Sequence, residues 1–191
     1  MFALLRTGSD LIVGGGFRQI AGQARASVAR VSLASPVTPS AFDTPINGGE
    51  RNAYALALSP DRNTLYAGRD FFAGSFQHLL RLNAQTVAPI DTTWKPQPNA
   101  QVRALALLGP WLHAGGSFSG VTPQPYSNLM RVATTGTGAR DTGWLPNPDA
   151  RVLALHEDAC ASACISAAHT PGSAPLRATA WHALARSSTE M

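Results

Sequence analysis

Charge is scarce in this sequence. Acidic and basic residues together make up 14% of 191 positions, where a soluble domain usually carries about 25%. Lysine is almost missing: Lys95 stands alone beside arginines scattered from Arg6 to Arg186. A nucleic-acid footprint needs clustered positive charge, so the net +4 points to no nucleic-acid partner. Cysteine is limited to Cys160 and Cys164, which gives no disulfide framework for the chain. No apolar run approaches the roughly 20 residues of a membrane helix, and no membrane span is expected. The first ten residues lack the basic segment and long apolar stretch of a signal peptide. No Gly-x-Ser-x-Gly elbow, phosphate loop or zinc-protease helix motif occurs. The few acidic residues form no acid/base pair by spacing, so no catalytic residue is assigned.

Glycine and proline are abundant instead, 17 and 14 of 191. That is rich in turns but below the roughly 25–30% that marks disordered chains. The length suffices to bury a core without staples. Many turns and few charges fit short strands better than helices.

A repeat near fifty residues organises the chain. Leu11-Ile12-Val13-Gly14-Gly15-Gly16-Phe17 aligns with Leu65-Tyr66-Ala67-Gly68-Arg69-Asp70-Phe71 and with Leu112-His113-Ala114-Gly115-Gly116-Ser117-Phe118. Ala55-Leu56-Ala57-Leu58 recurs 49 residues on, at Ala104-Leu105-Ala106-Leu107. Arg30, Arg81 and Arg131 follow at intervals of 51 and 50. Asp91-Thr92-Thr93-Trp94-Lys95-Pro96 recurs 50 residues on as Asp141-Thr142-Gly143-Trp144-Leu145-Pro146, and Phe42 holds the tryptophan position of the first copy.

In the third copy, Val102–Leu108 reads as a strand, Gly109-Pro110 as a turn and Trp111–Gly115 as a second strand. Asn128–Ala133 reads as a third strand, and a short edge segment follows near Asp141–Trp144. Four short strands per fifty residues is the sequence form of a propeller blade. The expected fold is therefore all-β: blades of four short antiparallel strands, at about 2–50, 51–100, 101–150 and a degenerate 151–191. Propellers close with about 4–8 blades. Four units, one of them poor, starting in a strand-like Phe2–Leu5, fit an open partial propeller better than a finished ring.

The pattern resembles the delta-60 repeat, a bacterial β-propeller-like family. Its units carry an aliphatic-Gly-Gly-x-Phe strand, then Asn-Leu-Ala-Arg-Leu, then Asp-x-x-Trp/Phe-x-Pro. The matching residues are Gly14, Gly15, Phe17 and Arg30, then Gly115, Gly116, Phe118, Asn128, Arg131, Asp141, Trp144 and Pro146. The second copy keeps Gly68, Phe71, Arg81, Asp91, Trp94 and Pro96 but has Arg69 for the second glycine. The resemblance covers residues 2–155 and speaks to architecture, not activity. It implies a secreted or cell-surface setting.

These repeated residues are read as structural. Strand glycines mark bulges or close backbone approach. The arginines are expected to bridge to the aspartates bidentately, and Trp94 and Trp144 to fill the space between blades. One catalytic site would not need a copy in each unit. The long irregular segments Ser32–Gly49, Phe72–His78 and Gly120–Ser127 are where ligand contacts would be sought first.

After Leu155 the repeat fades. Adding fifty to Gly115 and Gly116 lands on Ile165 and Ser166. Glu157–His169 is alanine-rich and would tolerate a helix. His156, Cys160, Cys164 and His169 are spaced 4, 4 and 5, and on a helix the first three would share a face. The set lacks the usual zinc-ligand arrangement, so neither metal nor cofactor is assigned. A Cys160–Cys164 disulfide would need Cα atoms within about 7 Å.

The sequence thus leads to a non-enzymatic binding or scaffold module in a surface or secreted assembly. Its ligand would be an unidentified protein or glycan, and further blades of the same parent protein are a second kind of partner. The alternative is a fragment of an enzyme-associated propeller whose catalytic residues lie in loops or outside this chain.

Overall fold

A computed structural model describes residues 1–43, 52–70, 78–86, 90–119, 126–157 and 165–169. The described residues form antiparallel β-sheet and no helix. The first sheet has four strands in the order β1 (Ala3–Thr7), β2 (Asp10–Gly14), β5 (Val28–Ser32) and β6 (Pro39–Asp43). A small hairpin of β3 (Gln19–Ile20) and β4 (Gln23–Ala24) projects between β2 and β5 in the chain. The second sheet runs β7 (Ala53–Leu58), β8 (Thr64–Arg69), β9 (Leu79–Asn83). The third runs β10 (Val102–Leu108), β11 (Trp111–Ser119), β12 (Ser127–Ala133). The fourth pairs β13 (Val152–Glu157) with β14 (Ile165–His169).

Local chemistry explains the hairpins. Gly8 and Gly109 adopt φ of 61° and 54° in the two-residue links of β1–β2 and β10–β11, a conformation that glycine enters without a Cβ clash. The Ala-Leu-Ala-Leu runs carry no polar alternation because both their faces are covered: Ala55, Leu56, Ala57, Ala104 and Ala106 are all buried.

The sheets stack in chain order. The first strands touch in succession, β1 against β7, β7 against β10 and β10 against β13. Three apolar layers fill the seams. Ile12 and Val28 meet Leu56, Leu65 and Leu80 at the first seam. Tyr66, Leu79 and Trp94 meet Val102, Leu112 and Met130 at the second. Leu129 and Trp144 meet Val152 at the third.

Three expectations need correction. Among the described residues, only the first sheet reaches four strands. The edge segment near Asp141–Trp144 is a turn, because the Asp141 carboxylate accepts the Gly143 N–H at 2.8 Å and bends the chain. A lone bridge, Val132 to Arg140, is the only ladder contact described there. The helix tolerated over Glu157–His169 gives way to strand at Ile165–His169, where pairing with β13 satisfies the backbone groups along the shared edge. The Ser32–Gly49 segment, read as irregular, contains β6. Phe71, Cys160, Cys164 and most of the other two long segments lie outside the described residues.

Candidate binding face

The seams are set by glycine. A Cβ on Gly68 would come within 2.7 Å of Val102 Cγ1 and 2.9 Å of its carbonyl oxygen. On Gly115 it would meet Val152 Cγ1 at 2.6 Å. On Gly14 it would lie 3.2 Å from the Ala53 carbonyl and 3.3 Å from Leu56. Each of these glycines ends on the first residue of the next sheet's inner strand. Gly116 is confined within its own sheet, since a Cβ there would overlap the Gln101 carbonyl. Gly15 donates its N–H to Ser27 O at 2.8 Å, and Phe17 covers it. Phe118 is buried beside Tyr126, with ring centroids 5.9 Å apart.

Arginine and aspartate clamp the outer edge. Arg81 sends Nε and Nη2 to a single oxygen, Asp91 Oδ2, at 2.9 and 2.6 Å. Asp91 Oδ1 takes the backbone N–H and hydroxyl of Thr93. The Thr93 and Arg81 hydrogen bonds together hold the Asp91 carboxyl far below the usual carboxylate range, against partial burial. Arg131 and Asp141 repeat the arrangement, with Nε to Oδ2 at 2.7 Å. Arg30 departs from it and pairs with Asp10 on the neighbouring strand at 2.7 Å. Arg30 Nη1 reaches the Ala84 carbonyl of the second sheet, and Arg81 Nη1 reaches the Thr134 carbonyl of the third. The clamps therefore also tie successive sheets.

Trp94 is 1% exposed and donates Nε1–H to Ala133 O at 2.9 Å. Gly138, at φ 74°, lies against the indole: a Cβ there would fall 2.6 Å from Nε1. Trp144 is buried at the following seam, edge-on to His113. These residues are committed to packing and offer a ligand little free surface.

A different row is accessible. The hairpins of the second, third and fourth sheets all carry a register shift one step into the inner strand, between Ala53 and Ala55, Val102 and Ala104, and Val152 and Ala154. A β-bulge leaves one residue unpaired and re-aims its side chain. The residues so released are Tyr54, Arg103 and Leu153. Arg103 stacks its guanidinium 4.4 Å over the Tyr54 ring, and Tyr54 packs on Phe2 at 4.9 Å. Phe2 is 55% exposed and Leu153 39%. An apolar-to-cationic ladder therefore crosses three sheets at the end where their inner strands begin.

Polar groups brace it from behind. Asp70 accepts the Asn52 N–H at 2.8 Å, Asn52 Nδ2 at 3.1 Å and the Tyr54 hydroxyl at 2.9 Å. Those bonds outweigh burial and lower the Asp70 carboxyl, while burial and Asp70 raise the Tyr54 phenol. Gln101 Oε1 takes Nε and Nη2 of Arg103 at 3.0 and 2.6 Å. Tyr54 and Arg103 are thus oriented before any ligand arrives. Burial lowers the His78 imidazole, which sits 3.4 Å from the Arg69 carbonyl.

None of the ladder residues was singled out by sequence motif. The one signal is the break in alternation, a tyrosine and an arginine in the same slot of two otherwise apolar strands. No group of His, Cys, Asp and Glu side chains that could hold a metal occurs among the described residues. No described helix is long and apolar enough to cross a membrane. No protein-family model matches the chain, and no curated protein matches it.

Proposed function

We propose that the chain is a β-propeller-type binding or scaffold module. Its sheets act as blades, and it takes a protein or glycan ligand on the Phe2–Tyr54–Arg103 ladder, as part of a surface or secreted assembly. The observation that carries the reading is the ladder itself. Aromatic and guanidinium groups are energetically useful at interfaces when held rigid, and here the half-buried Tyr54 and Arg103 are held by Asp70 and Gln101 beside the exposed Phe2. Asp70 has both oxygens engaged by Asn52 and Tyr54, so this carboxylate is a brace and not a free general base. That favours binding over catalysis. The test is a glycan and peptide array probed with the wild-type chain and with Tyr54→Ala and Arg103→Ala. A hit weakened at least about tenfold by either variant supports the reading, since one hot-spot side chain carries more than about 1.4 kcal/mol. A hit untouched by both overturns it.

A further inference from the structure

His113 occupies a place that the other sheets fill with neutral groups. It sits on β11 opposite Ala106 on β10 and opposite Arg131 on β12. The corresponding residue of the second sheet is Tyr66, opposite Ala57 and Arg81. Tyr66 has its hydroxyl 3.5 Å from the Thr134 carbonyl across the seam. His113 is 3% exposed, and its Nδ1 has no hydrogen-bond partner. Its ring meets Trp144 edge-on at 5.1 Å and 82°.

The surroundings oppose a second positive charge. On β12 the facing group is Arg131, which is itself bound to Asp141. That carboxylate is also engaged by the Gly143 N–H. On β10 the facing side chain, Ala106, is apolar and buried. On β13, Val152 and Leu155 close the seam, while Arg151 and His156 are exposed. Burial first, and then Arg131, hold the imidazole down at about 4, against a backbone hydrogen bond at Ala106. At the second seam the corresponding ring, Tyr66, packs in the apolar layer.

We propose that the seam between the third and fourth sheets is an acid-released latch: a solvent proton taken up on His113 Nδ1 parts β13 from β10 and β11 while the second seam stays shut. Charging an imidazole there adds a cation beside Arg131 and a donor with no acceptor in a dry layer. Opening the seam gives the imidazolium water, so the open form binds the proton more tightly and acid favours it. Release would also carry Leu153 away from the binding face. The latch does not depend on what that face binds.

Hydrogen–deuterium exchange by peptide tests this, at about pH 7.5 and about pH 4.5 with intrinsic rates corrected, since each unit of depressed pKa is worth tenfold in the opening equilibrium. The peptide over 150–157 is expected to lose at least about tenfold of its protection in acid, and the β7 peptide less than about twofold. His113→Tyr, which installs the second sheet's residue, should hold protection in the 150–157 peptide. His156→Gln should behave as wild type. Equal loss in both peptides, or loss in His113→Tyr that matches wild type, overturns the proposal. Should His113→Tyr fail to fold, an NMR titration of the wild-type histidine rings decides. A His113 midpoint near 4, with a concerted shift of the Trp144 indole, supports the latch, and a midpoint near 6.5 overturns it.

Discussion

The second and third seams are built from the same kinds of parts and differ in how they are finished. At the second, Tyr66, Arg81 and Trp94 all reach across to the carbonyls of Ala133 and Thr134. Polar tips end on fixed backbone acceptors, and the aromatic bodies fill the layer. At the third, a histidine replaces the tyrosine. Arg131 lies between the Trp111 and Trp144 rings, at 4.8 and 5.3 Å, and His113 Nδ1 is left without a partner. At constant register and with the glycine contact retained, the two seams differ in one ring: a tyrosine whose hydroxyl reaches a carbonyl at the second, and a histidine with an unpartnered Nδ1 at the third.

Removing the large ring should separate the seams most clearly. Trp94→Ala is expected to cost about 4 kcal/mol in urea unfolding, because it empties the layer and orphans Ala133 O. Trp144→Ala, from a slightly more open site, should cost about 3 kcal/mol. Equal losses would show that the carbonyl hydrogen bond adds little.

Acid comes next. His113 has a lowered value in the fold, so its stabilisation is complete above about 6.5 and is lost as pH falls toward about 4. The depression corresponds to a loss of roughly 3 kcal/mol at the third seam, at 1.36 kcal/mol per unit. Melting of the wild type and of His113→Tyr across that range measures it, and the variant's curve should be the flatter one.

Glycine substitutions sharpen the comparison further. Gly68→Ala presses on both a side chain and a backbone carbonyl of Val102, whereas Gly115→Ala presses on the Val152 side chain. Costs of about 2–3 and about 1–2 kcal/mol are expected. Val152→Ala should restore part of the Gly115→Ala loss, while Val102→Ala should do little for Gly68→Ala. Thermal shifts of the double variants would decide. The smallest effect belongs to the partly exposed clamp: Asp91→Asn should lower stability by less than about 1 kcal/mol and make melting less sensitive to salt.

Much of the fold could be read from residue order alone. Val102–Leu108 was delimited by Gly109-Pro110 and by the loss of polar alternation, and both signals are local. Gly68 and Gly115 could be marked as bulge or close-approach sites because those are the common uses of glycine inside a strand. The fourth strand was misjudged for a different reason. Asp91 and Asp141 had been considered as partners for arginine, but each has two carboxylate oxygens, and the second one bends the backbone into a turn. The latch was invisible because burial of His113 depends on Trp144 and Val152, residues 31 and 39 positions away. The ladder left only a faint trace, a tyrosine and an arginine in one slot of two apolar strands, because a one-residue register shift carries no motif of its own.

That register shift has a further consequence. Tyr54, Arg103 and Leu153 share one structural slot and have nothing chemical in common, yet the hairpins beneath them keep the same pairing. The slot is thereby uncoupled from the core: its occupant can change without retuning the layers that hold the sheets together. The second, third and fourth sheets each contribute one such position, and the order of sheets in the chain sets them in a fixed line. On the proposed reading as a binding module, ligand specificity is written in these positions while the scaffold stays constant.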